Sequence, residues 1–249
     1  MSGTLPDPCA GCRCAAGRGG DVSAPDAAIV AHGQPGDPGA LQPELEGLAA
    51  AVAALLPGRV VAGATLACPR SLARLAGVRV VYPLFMADGW FVRSEMPRRL
   101  KAAGIEGYAV LPPLGLDPAL HAVGVSVARA AAQDAGIVSV DAALVVVGHG
   151  SRNARASAES TRTFAAALPD RGGFAQVRVA LLEEPPHLAE IVPDGPAVCL
   201  PFFATSGSHT TEDIPQEWAA SGAPGPIAPP VGRSAAIPAL IAAALGPAL

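Results

Sequence analysis

Two of the five histidines stand where apolar runs give way to glycine-rich loops. His149 follows Leu144-Val-Val-Val-Gly148 and precedes Gly150-Ser-Arg152. His209 closes the loop Ala204-Thr-Ser-Gly-Ser208, which itself follows Val198-Cys-Leu-Pro-Phe-Phe203. A continuous, mostly β-branched run reads as a strand buried on both faces, the kind found in parallel sheets. Glycine lets the backbone turn sharply at a strand end, and open α/β sheets bind ligands beyond the carboxyl ends of their strands. If both strands share one parallel sheet, two imidazoles share one edge, which is the start of a metal site. Neutral imidazole is a good ligand for cobalt, iron or nickel ions. Its ordinary pKa near 6.5 also suits it to accept a proton.

The elements that must position these histidines follow from the apolar spacing. Strands are predicted at Ala27 to Ala31, Val60 to Leu66, Val78 to Phe85 and Tyr108 to Leu111, with helices from Gln42 to Leu56, from Pro69, from Glu95 to Ala103 and from Asp117 to about Ala135. The same order then recurs. The His149 strand leads to a helix near Ala156 to Leu168. Strands at Gln176 to Leu182 and Ala197 to Phe203 follow, then a helix from Glu212 to Ala220, a short run at Pro226 to Ala228 and a last helix from about Ala235 to Leu245. His149 falls on His32, Pro185 on Pro69, Pro201 on Pro83, Gly207 on Gly89, Pro215 on Pro97 and Gly232 on Gly115, each about 117 residues apart. An internal duplication accounts for this. Strand–helix alternation implies parallel sheets with helices on both faces. The fold class expected is therefore α/β, two similar flavodoxin-like, three-layer α/β/α lobes across a cleft, one over residues 27–136 and the other over 137–249.

The motifs Gly148-His-Gly-Ser-Arg152 and Leu200-Pro-Phe-Phe-Ala-Thr-Ser-Gly-Ser-His-Thr-Thr-Glu-Asp-Ile-Pro215 resemble the class II chelatases of tetrapyrrole biosynthesis, closest in type to the CbiX-like sirohydrochlorin chelatases. The resemblance implies a two-lobed chelatase fold and ATP-independent insertion of Co²⁺ or Fe²⁺ into sirohydrochlorin, on the way to cobalamin or sirohaem. It also places a glutamate in the Leu181-Leu-Glu-Glu-Pro185 position. His149, His209 and Glu183 are thus the candidate catalytic and metal-binding residues, with Glu184 the rival of Glu183. Compared with itself, the chain keeps the first histidine in both halves, but Ala67 stands for Glu183 and Phe91 for His209. The carboxyl-terminal half is therefore expected to hold the chemistry. The flat, carboxylate-rimmed substrate would meet Trp90, Phe91, Phe202 and Phe203 as walls. Ser151, Ser206, Ser208 and Thr210 offer hydroxyls, and Arg152, Arg155 and Arg93 offer cations. A chelatase for another tetrapyrrole or for nickel, and a non-catalytic metal or tetrapyrrole carrier, are the alternatives. Cobalt and iron(II) differ too little in ligand preference for these residues to choose between them.

Composition narrows the classes further. Of 249 residues, 51% are hydrophobic and 15% charged, the balance of a globular chain rather than a disordered one. A net charge of −4 gives no basic field for nucleic acid. No run approaches the roughly 20 apolar residues of a membrane span, and the first 26 residues lack the apolar core of a signal peptide. A cytoplasmic protein is expected, of open oligomeric state. Residues 1–26 read as a disordered, Gly/Pro/Ala-rich tail carrying Cys9, Cys12 and Cys14, a candidate metal or iron–sulfur site that is one ligand short. No cofactor beyond the substrate metal is otherwise implied. Cys68 and Cys199 read as core thiols. His32 either hydrogen-bonds a turn or takes a direct part. His121 lies on a helix and reads as solvated, and His187 follows Pro185-Pro186 as a structural residue or a cleft lining. Asp213 either caps the helix before Pro215 or orients His209. No G-x-G-x-x-G follows a strand and no G-x-S-x-G is present, which removes a dinucleotide fold and an α/β hydrolase.

Overall fold

The β-branched and small-residue runs become the centre of two parallel sheets. The computed structural model describes residues 24–34, 36–152, 154–168, 172–191 and 193–249. Cys9, Cys12 and Cys14, with the rest of the expected tail up to residue 23, lie outside the described residues.

The first sheet is built from β1 (Ala27–Ala31), β2 (Val61–Thr65), β3 (Val80–Pro83) and β4 (Ala109–Val110), in the order β2-β1-β3-β4 and parallel throughout. Every residue of β1 is buried, as a strand covered on both faces requires. Helix α1 (Gln42–Ala53) buries Leu45, Ala49 and Val52, one helical stripe, beside β2. Its close approach depends on Gly63, where an added Cβ would stand 2.4 Å from the Leu45 carbonyl oxygen. Helices α2 (Pro69–Ala73) and α3 (Met96–Ala102) complete the run between β2 and β4.

The second sheet repeats the first. β5 (Ala143–Gly148), β6 (Gln176–Leu181) and β7 (Ala197–Pro201) pair in parallel in the order β6-β5-β7. Where β4 lies in the first sheet, the second has a single parallel bridge between Cys199 and Ile227. The short run at Pro226 to Ala228 pairs only through that bridge, since Pro224, Pro226, Pro229 and Pro230 around it have no N–H to donate. The duplication extends to backbone detail. Gly115 and Gly232 would place a Cβ 2.0 and 2.2 Å from the carbonyl oxygens of Met86 and Ala204, which are themselves equivalent residues of the two repeats.

The compact units divide the chain elsewhere than at the repeat boundary expected between residues 136 and 137. One unit takes the described residues up to Leu84, then Trp90–Pro112 and Pro238–Leu249; the other takes Phe85–Gly89 and Pro113–Ile237. Helix α4 (Leu120–Asp134), the last element of the amino-terminal repeat, therefore belongs with the second sheet. Helix α7 (Ile237–Leu245), the last of the carboxyl-terminal repeat, falls almost wholly in the first unit. Helices α5 (Arg155–Ala167) and α6 (Ile214–Ala220) stay with their own repeat. Helix α4 contacts β7 and buries Leu120, Val125, Ala128 and Ala132. Gly124 seats it: a Cβ there would stand 2.5 Å from Cζ of Phe164. Phe164 is 1% exposed and stacked between Phe202 and His121, at centroid distances of 4.4 and 5.3 Å. His121, read from sequence as solvated, is instead half-buried on that ring, with Nδ1 3.0 Å from the Pro118 carbonyl.

Gly124 and Gly47 make a paired test of this seat. Gly47 sits on the exposed side of α1 with nothing within 4 Å of its added Cβ. Gly47→Ala is expected to stabilise the chain in urea unfolding by about 0.5–1 kcal/mol, the ordinary helix preference. Gly124→Ala is expected to destabilise it by about 1–3 kcal/mol, because the methyl group must displace a buried ring.

Candidate metal centre

Both site loops leave the sheet at the carboxyl ends of hydrogen-bonded neighbours. β5 and β7 pair from Ala143↔Ala197 to Val147↔Pro201, so their following loops start at the same edge. Gly148 closes β5 against α5, where a Cβ would lie 2.1 Å from Oγ1 of Thr161. Gly150 then turns the chain at φ +70°, a conformation that costs an L-residue roughly 1–2 kcal/mol.

Three hydrogen bonds fasten this turn to the segment after β6. The Glu183 N–H donates to the His149 carbonyl at 2.9 Å. The Ser151 N–H donates to Oε1 of Glu184 at 2.9 Å, and Nε of Arg152 donates to the Glu183 carbonyl at 3.2 Å. Glu184 is thus the carboxylate that packs under the turn, its Cγ 3.1 Å from where a Gly150 Cβ would be. Glu183 is tied to His149 through its backbone.

The second loop is held by one residue. The Gly207 carbonyl accepts from the hydroxyls of Thr210 and Thr211 at 2.9 and 3.1 Å, and the Gly207 N–H donates to Oγ1 of Thr210 at 2.9 Å. From there the chain runs into a π-helical turn, His209–Asp213, closed by the Ile214 N–H on the His209 carbonyl. Within it, Nδ1 of His209 lies 2.6 Å from Oδ2 of Asp213. The orienting alternative for Asp213 is the one the structure adopts; its side chain makes no cap for α6.

The two imidazoles meet edge to face, with ring centroids 4.6 Å apart and planes at 88°. Nδ1 of His149 lies 2.9 Å from the Gly150 carbonyl oxygen. A carbonyl and a carboxylate only accept, so in the neutral form of either ring Nδ1 carries the proton and Nε2 keeps its lone pair. Two such nitrogens at one edge can share a borderline metal ion. Among the described residues, no group of three or more His, Cys, Asp or Glu side chains is close enough to hold an ion. The structure therefore brings together His149 and His209 from the expected set, and does not group Glu183 with them.

The other predicted residues fall as follows. Ser206, Ser208 and Arg152 are exposed near the two loops, Ser151 is half-buried, and the Thr210 hydroxyl is engaged with Gly207. Phe203 lies 6.3 Å from His209, whereas Phe202 is core at 2% exposure. His187 caps the short turn Leu188–Glu190. Cys68 and Cys199 are buried thiols, and burial pushes that of Cys199 far up. Trp90 and Phe91 belong to the first unit, where Phe91 and His32 repeat this geometry with a phenyl ring in place of the second imidazole. His32 meets Phe91 at 4.3 Å and 82°, and its Nδ1 lies 2.5 Å from the Gly33 carbonyl. Phe91 opens an equivalent π-helical turn, Phe91–Glu95. The matching carboxylate, Glu95, is held by Arg98 and then Arg99, which keep its carboxyl at about 2 against an ordinary 4.5.

Parallel α/β units with histidines at their strand ends place the chain in the chelatase fold class. The SirB protein of Bacillus subtilis, solved with Fe³⁺, superposes with a TM-score of 0.70 over 88% of this chain and 93% of that one, at 15% identity. The CbiX family model matches residues 143–247, which carry the histidine pair. The structure of CbiX, the terminal enzyme for biosynthesis of sirohaem in denitrifying bacteria, covers 90% of this chain and 99% of its own length, at 44% identity and a TM-score of 0.83. The chain belongs to the CbiX family. A probable sirohydrochlorin cobaltochelatase of Halobacterium salinarum is 25% identical over 162 residues, 55% of this chain and 56% of that protein. The match thus spans little more than half the length of that curated relative.

Two measurements follow from these contacts. Gly150→Ala is expected to lower unfolding free energy by about 1–2 kcal/mol in urea melts, from the left-handed backbone it must adopt. Glu95→Gln is expected to melt below the parent at pH 7. The depressed carboxyl stabilises the fold above its ordinary value of 4.5 and ceases to do so toward about 2. The difference in Tm should therefore close as pH falls through that window.

Proposed function

We propose that this chain inserts a divalent metal ion, Co²⁺ or Fe²⁺, into sirohydrochlorin without ATP, for cobalamin or sirohaem synthesis. The observation that carries this reading is the imidazole pair: both Nδ1 atoms are committed to acceptors, so both Nε2 lone pairs are left for one ion. Insertion strips the ion's hydration shell and removes two protons from pyrrole nitrogens. Imidazoles can do both tasks, first as ligands and then as proton acceptors once the ion has passed to the ring. A two-nitrogen site holds an ion less firmly than a closed four-ligand cage, which suits a metal that must leave. Glu183 is the proposed third participant, as ligand or orienting group beside His149.

The carboxyl-terminal repeat, residues 137–249, is proposed to carry the reaction. Ser151, Arg152, Ser206, Ser208 and Thr210 are proposed to face the tetrapyrrole, the cation and hydroxyls toward its carboxylates. No cofactor is proposed beyond the ion itself. Among the described residues, no helix is long and apolar enough to cross a membrane; the cytoplasm is the proposed site of action.

The test is a direct assay of the purified chain with sirohydrochlorin and Co²⁺ or Fe²⁺, followed by the change in absorbance. Turnover beyond one equivalent is expected; a single stoichiometric step would make the protein a carrier. His149→Ala and His209→Ala are each expected to abolish turnover, and His32→Ala to cost much less. A larger loss from His32→Ala would move the reaction to the other repeat.

A further inference from the structure

The two π-helical turns are one structural element carrying two sets of side chains. Phe91 and Glu95 in the first, with Arg98 and Arg99 in the helix after it, correspond to His209 and Asp213 in the second, with Gln216 and Glu217 in the helix after it. In each, a carboxylate follows the ring by four residues. Glu95 is 5% exposed and gives itself wholly to the guanidiniums: Oε2 accepts from Nε of Arg98 at 2.8 Å, and Oε1 accepts from Nη2 of Arg98 at 2.8 Å and Nε of Arg99 at 2.6 Å. Asp213 has no arginine at either matching position, and Oδ2 accepts instead from Nδ1 of His209 at 2.6 Å. The carboxylate is kept in both repeats; its partner changes together with the ring.

We infer that Asp213 is a positioning residue dedicated to His209, and that Gln216 is part of the site because it is not a competing cation. This rests on His149 and His209 being the metal ligands. A carboxylate on Nδ1 fixes the tautomer and the ring plane and makes Nε2 a stronger donor. The equivalent bond from His149 goes to the neutral Gly150 carbonyl, so the two ligands are unequal, with His209 the firmer anchor and His149 the weaker donor. An arginine at position 216 would draw Asp213 away, as Arg98 draws Glu95.

The experiment is a Co²⁺ titration of the full chain without tetrapyrrole, read by calorimetry and paired with thermal melts. Asp213→Asn is expected to weaken Co²⁺ binding about 10- to 100-fold, with Asp213→Glu recovering part of the loss. Gln216→Arg, at an exposed position, is expected to weaken binding in the same direction while leaving Tm unchanged or higher. Glu95→Gln should leave the Kd for Co²⁺ unaltered. Binding by Asp213→Asn within about twofold of the parent overturns the inference. If that variant does not fold, Gln216→Arg decides on the same criterion. His149→Ala and His209→Ala separate the two questions: if they bind Co²⁺ like the parent, the ligand assignment fails, whatever Asp213 does.

Discussion

The parallel pairing of β5 with β7 is the constraint on which the site depends. Hydrogen bonding in register from Ala143↔Ala197 to Val147↔Pro201 makes the two strands end together. Everything past that edge is local elaboration. A slip of one residue would turn every side chain of one strand to the opposite face and misalign the loops. β5 is buried along its whole length, so the slip would also have to repack close-fitted side chains on both covered faces. The precision of the histidine pair is thus inherited from the core rather than created by the loops.

Each loop then adds one device of its own. Gly150 supplies a left-handed turn, and Glu184 fills the space that turn leaves. Gly207 gathers the Thr210 and Thr211 hydroxyls, which start the π-helical turn bearing His209. The same backbone exists in the other repeat with a phenyl ring in place of the second imidazole. Scaffold and side chains are therefore separable in this molecule: the first unit has the shape of the centre with Phe91 where the second imidazole stands in the other.

The sheets and the histidine pair were legible in the sequence because each rests on a local signal. Apolar runs mark strands, glycines mark their ends, and the repeat spacing aligns one half with the other. The exchange of α4 and α7 was not legible. Periodicity shows that α4 has an apolar stripe with a glycine in it, but a stripe does not say which sheet will cover it. The contact that decides, Gly124 on Phe164, joins residues 40 apart in the chain. The π-helical turns were also hidden, since one extra residue per turn leaves no compositional mark. Between Glu183 and Glu184 the sequence offered two adjacent carboxylates on an irregular turn. The structure sets the second under the Ser151 N–H, and the part of the first in the reaction stays with the proposed mechanism.

The traded helices bear on how the molecule comes into being. A chain emerges from the ribosome amino end first, and its units usually fold in that order. Here the earlier unit contains Pro238–Leu249, which are made after every residue of the later unit. Its sheet can form while synthesis continues, but its final helix arrives only after the whole of the later unit has been translated. The earlier unit must wait, incomplete, until then. Translation of Pro238–Leu249, rather than completion of the first repeat, is what lets this protein close both of its cores.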